Sequence, residues 1–114
     1  MANPPQTTPM TQHGQLTRDD SNFPVGWTPK NITTQTTTVV KSAPGVLHAI
    51  TLNNPVATSV ITIYDNTAAS GTIIGTITVP ASPQPLTLRY DATFSTGLTV
   101  KTATASSDIT VLYI

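Results

Sequence analysis

From Thr33 onward, apolar and polar residues alternate in short runs with a period of two, the spacing of strands that bury one face. In the threonine-rich run 33–41, Val39 alternates with Thr38 and Val40, and Ser42-Ala43-Pro44-Gly45 then makes a turn. Residues 46–52 form the next strand, ended by Asn53-Asn54-Pro55. In 59–65, Ile61 and Ile63 share one face, with Thr62 and Tyr64 on the other. The run 72–79 puts Ile73, Gly75, Ile77 and Val79 on one side and Thr72, Thr76 and Thr78 opposite. A glycine inside a strand marks a bulge or a close backbone approach, which is the expectation for Gly75. Leu86, Leu88 and Tyr90 alternate with Thr87 and Arg89, Leu98 and Val100 with Thr99 and Lys101, and Ile109, Val111 and Tyr113 with Thr110, Leu112 and Ile114.

About seven short strands separated by turn signals predict an all-β chain folded as an antiparallel β-sandwich, jelly-roll or Ig-like in topology. Ile63, Ile77, Leu88 and Val111 should face between the sheets, and Thr76 and Thr87 should face outward. Ile74, Leu112 and Ile114 fall on the side away from that core. Apolar residues grouped on an outer face mark an interface, so these three are candidate oligomer contacts.

Residues 1–32 break the pattern. They hold five of the ten prolines, Pro4, Pro5, Pro9, Pro24 and Pro29, and few large apolar side chains. Proline blocks helix and no alternation replaces it, so residues 1–32 read as an extended N-terminal arm before a sandwich domain of residues 33–114. Within the arm, Phe23-Pro24-Val25-Gly26-Trp27 concentrates two aromatics. Aromatics are favoured at interfaces, which makes Phe23, Val25 and Trp27 a candidate anchor in a neighbouring subunit; the alternative is that Trp27 tucks against its own domain.

Composition sharpens this picture. Threonine fills 24 of the 114 positions, and its stiff χ1 suits a pleated surface. Only 9% of residues are charged, against roughly 25% in ordinary soluble domains. Five Lys+Arg balance five Asp, and the resulting zero net charge offers no footprint for nucleic acid. The chain has no cysteine, so thiolate metal sites and cysteine nucleophiles are absent. No apolar run approaches the ~18 residues of a membrane span, and the polar, proline-rich start is unlike a signal-peptide core, so a cytoplasmic origin is expected. Low charge is poor for solubility as free monomers and favours life in an assembly.

Catalytic signals are thin. His13 lies in the arm and His48 in a strand, where its expected role is packing beside the sheet. No serine sits in a G-x-S-x-G elbow. With glutamate missing, paired carboxylates would have to come from Asp19 and Asp20 in the arm or from Asp65, Asp91 and Asp108 at strand ends, the usual place for turn-forming aspartate. No D-x-D-x-D spacing supports calcium. The expectation is a protein that is not an enzyme and uses no metal and no cofactor.

The order of motifs carries a resemblance. Gly45-x-Leu47-x-x-Ile50 is followed by Ile61-x-Ile63-Tyr64-Asp65-Asn66 and a small-residue loop to Gly71-x-x-Ile74. Phe94-x-x-Gly97-Leu98-x-Val100 and Asp108-Ile109-Thr110-Val111-x-Tyr113 complete it. Over roughly residues 38–114 the chain resembles the small β-sandwich structural proteins of tailed bacteriophages, the capsid decoration (cement) and head-fibre proteins. The resemblance implies a virion protein on the capsid surface, made in the host cytoplasm. It also implies binding across neighbouring subunits of the major capsid protein, commonly as a homotrimer. The alternatives are a head-fibre or tail component, or a carbohydrate-binding sandwich module.

Overall fold

The computed structural model describes residues 26–114. Among these it contains eight strands and no helix: β1 (Thr28–Ile32), β2 (Thr37–Lys41), β3 (Gly45–Asn54), β4 (Val60–Asp65), β5 (Thr72–Thr78), β6 (Leu86–Phe94), β7 (Leu98–Ala103) and β8 (Asp108–Tyr113). They form two four-stranded antiparallel sheets in the orders β1-β8-β3-β6 and β2-β7-β4-β5. β1 pairs with β8, β2 with β7, β3 with β6 and β4 with β5, so the chain is one long hairpin rolled over on itself. The pairs β3–β8 and β4–β7 close the roll. This is the jelly-roll arrangement. At the hairpin's tip Gly71 takes φ 84°, the left-handed backbone open to a residue without Cβ.

The core lies between the sheets and follows the alternation. Leu47, Ile50 and Leu52 from β3 and Ile109 and Val111 from β8 meet Ile61, Ile63, Leu98 and Val100 from the facing sheet, all buried. Ile77 also belongs to this cluster, Leu88 packs against it half-buried, and Thr76 and Thr87 are exposed as expected.

Two expectations are corrected at the amino end. The eighth strand is β1, which lies within the residues read as an arm, so the sandwich begins at Thr28 rather than Thr33. Proline lacks the N–H of an interior ladder strand but is tolerated on an edge, and Pro29 stands on the edge opposite Leu112. Ile32 is buried in the core, a role its isolation among polar neighbours concealed.

A third correction concerns β5. Ile63 stands opposite Gly75 and Tyr64 opposite Ile73, so Ile74 is an extra residue in a bulge. A bulge reverses the facing of everything beyond it. Ile74 therefore packs against the core, and Ile73, expected inside, is 53% exposed. Gly75 combines the bulge with a close approach: a Cβ there would lie 2.7 Å from the Tyr90 hydroxyl, which reaches it from the other sheet. A similar slip between Val39 and Lys41 turns Val40 towards the core and leaves Val39 exposed.

Candidate functional site

On the outer surface the side chains of Trp27, His48, Asp91 and Arg89 converge. Bulges bring them together. Between Leu47 and Ala49, β3 has one residue more than β8, and that residue is His48. Over the same step β6 runs from Ala92 to Arg89, one residue longer again than β3. Asp91 absorbs the excess with φ 48°, a left-handed backbone that aspartate tolerates better than most residues. The carboxylate thereby meets the imidazole, with His48 Nδ1 2.6 Å from Asp91 Oδ1. Arg89 Nε stands 3.6 Å from the other carboxylate oxygen.

Trp27 completes the cluster. Its ring stacks on the His48 imidazole with centroids 4.3 Å apart and planes 2° from parallel. In the sheet, β8 separates β1 from β3, so the indole crosses β8 to reach His48, a span of roughly 10 Å at the ordinary strand spacing. Leu112 and Ile114, the sequence candidates for an oligomer contact, lie half-buried on the outer face of the strand that Trp27 crosses. Phe23 and Val25 lie outside the described residues.

The chemistry here is mechanical. Among the described residues, Asp91 is the hydrogen-bond partner of the His48 ring, and no hydroxyl is placed on the imidazole for it to activate. Asp91 fixes the plane of the ring, and the ring is a platform for the indole. A stacked aromatic pair contributes about 0.5–1.5 kcal/mol beyond its buried area, and half-exposed ion pairs add about 1 kcal/mol or less. The indole is still 36% exposed. The site thus fixes where the chain enters the sheet: Trp27 tucks against its own domain, the alternative the sequence left open, with part of the residue still exposed. Sequence reasoning anticipated His48 beside the sheet but missed the pairing, because Asp91 reads as a strand-end aspartate and is in fact inside β6.

The other two candidate aspartates have structural work. Asp65 closes the β6–β7 turn: Thr96 N–H donates to Oδ1 at 2.9 Å and Ser95 N–H to Oδ2 at 3.0 Å. These donors, the Ser95 N–H first, hold its carboxyl below the usual carboxylate range. A lowered folded-state pKa stabilises the fold above the carboxylate range, and that contribution is lost as pH falls through it. Asp65→Ala should therefore lower the melting temperature at pH 7 and flatten its acid-side decline. Melts across a pH series would show identical curves if the cradle were idle. Asp108, at the start of β8, accepts from Asn31 Nδ2 at 2.7 Å and Asn53 Nδ2 at 3.2 Å, tying β1 and β3 to β8. Among the described residues no group of three His, Cys, Asp or Glu gathers to hold a metal ion.

No family model, curated protein or solved structure matches this chain.

Proposed function

We propose that the chain is a non-catalytic structural protein of a bacteriophage particle, a decoration protein that binds across neighbouring major capsid protein subunits and stabilises the shell. The observation that supports this reading is Trp27, held on its own domain by the His48 stack and still partly exposed. A proline-rich segment of 25 residues precedes the described part of the chain and meets the sandwich at Gly26. Its root is fixed by the His48 stack, and the indole is left partly open. That is the arrangement of a rigid domain presenting an attachment segment.

The jelly roll itself is shared by viral capsid and lectin domains and cupins, so the fold alone does not choose among them. A carbohydrate-binding reading needs exposed rings to stack on sugars, and among the described aromatics Trp27 is the one that is exposed; Phe94 is buried, Tyr90 and Tyr113 are packed against the core, and Tyr64 is half-buried. Stabilisation by decoration requires only differential binding. A ligand for the assembled shell opposes rupture by mass action, and many copies amplify a weak single contact.

Co-sedimentation with expanded phage capsids tests the reading. The full chain should bind and raise the shell's melting temperature. A chain beginning at Gly26 should bind about tenfold more weakly or worse, and Trp27→Ala should reproduce part of that loss. Equal binding by the shortened chain would move attachment to the sandwich loops, and no binding by the full chain would end the reading.

A further inference from the structure

We infer that β5 is a self-association edge, through which two copies pair antiparallel about a two-fold axis. A jelly roll leaves four edge strands, here β1 and β6 in one sheet and β2 and β5 in the other. An open edge offers unpaired N–H and C=O groups to any other strand, and proteins commonly blunt such edges with charge, proline or bulges. Three of the four edges carry charge or proline. β1 carries Pro29 and Lys30; β2 is five residues long and carries Lys41; β6 carries Arg89 and Asp91 and is kinked where Asp91 turns left-handed. β5 reads Thr-Ile-Ile-Gly-Thr-Ile-Thr, with no charge and no proline. Its bulge at Ile74 still leaves 75–78 as a regular run, and among the described residues its backbone pairs with β4 alone.

The surface beside that edge is also unfinished. In register across the second sheet, from β5 to β2, run Ile73, exposed, Tyr64, half-buried, Thr99, fully buried, and Val39, exposed at the opposite edge. Ile73 is the most exposed large apolar side chain described, and Val39 is next. The occupant follows from symmetry. A two-fold contact is isologous and sets each residue near its own twin. Lys30, Lys41 and Arg89 would each be brought towards a like charge at their own edges, whereas β5 brings none. With zero net charge, no long-range repulsion keeps two copies apart. The paired edges would join two sheets into one of twice the width, with main-chain hydrogen bonds supplying affinity as in other strand additions.

This pairing closes at two copies, unlike the three-fold assembly the resemblance implies, and it does not rest on capsid binding. Multi-angle light scattering on the free full-length chain separates the two. The expected particle has twice the 12.0 kDa chain mass in the micromolar range. Thr76→Lys and Ile73→Lys, both at exposed β5 positions, should return it to chain mass or raise the dissociation constant about tenfold or more through like-charge opposition. Thr87→Lys, exposed on β6, should leave the mass unchanged, with circular dichroism checking that each variant folds. A monomer at all concentrations, a trimer, or a dimer indifferent to Thr76→Lys would each overturn the inference.

Discussion

A chain beginning at Thr33 should melt roughly 10–25 °C lower than the full-length protein, while one beginning at Gly26 should melt like it. The first cut removes β1 and the second leaves it whole. Without β1, the core loses Ile32, whose burial is worth about 1.5–3 kcal/mol. Asn31 Nδ2 no longer donates to Asp108 Oδ1 or to the Ile109 carbonyl, each a net contribution of about 0.5–1.5 kcal/mol. The ladder along β8 is left open over the five pairs from Thr28↔Tyr113 to Ile32↔Ile109. Domains of this size hold only about 5–15 kcal/mol in all. A loss near 3 kcal/mol lowers the melting temperature by roughly 10–25 °C. Calorimetry on the two shortened chains decides it, and equal melting temperatures would show that β1 contributes nothing to the sandwich.

Phe94→Ala should cost about 3–5 kcal/mol, the range for deleting a buried aromatic ring. Phe94 heads the fully buried side chains by volume and stands opposite Gly45 across the β3–β6 pair. The pairing is steric. A Cβ on Gly45 would lie 2.8 Å from Phe94 Cζ and would overlap the Ile114 carbonyl oxygen, so glycine makes room for both. Removing the ring leaves a void beside backbone that cannot collapse, since β3 is held on both sides by β6 and β8. On the outward faces, Thr76→Ala and Thr87→Ala should each cost under about 1 kcal/mol. Urea midpoints at constant slope measure all three, and equal losses would mean the facing assigned to these strands is wrong.

The fold class was legible because threonine alternates with aliphatic residues along most of the chain, and alternation maps directly onto the two faces of a strand. Ile61, Ile63, Ile109 and Val111 are buried where that rule puts them. The rule fails where pairing slips. Nothing in Ile73-Ile74-Gly75 says which isoleucine is extra, because a bulge is a property of two strands and only one is written in the local sequence. The His48–Asp91 contact was hidden for the same reason, since two bulges in neighbouring strands create it. β1 escaped notice because Pro29 and Lys30 belong to an edge and only Ile32 reaches the core. The aromatic setting marked out Trp27, and of its two readings the structure shows the one in which it tucks against its own domain, on a platform two strands away in the sheet.

The nested pairing also orders events in time. The β4–β5 hairpin closes a loop of only six residues, 66–71, and loops of that size form within about 100 ns once their strands exist. Each further layer, β3 with β6, then β2 with β7, then β1 with β8, joins segments progressively farther apart, up to the 85 positions between Thr28 and Tyr113. Closure entropy grows with each step and all-β topologies of this kind fold in milliseconds to seconds. On the ribosome, β1 is synthesised before the other seven described strands, yet its partner β8 is the last of the eight to emerge. Trp27 can reach its place over β8 only when the sandwich is otherwise complete, so the Trp27–His48 stack forms only on chains that have finished folding.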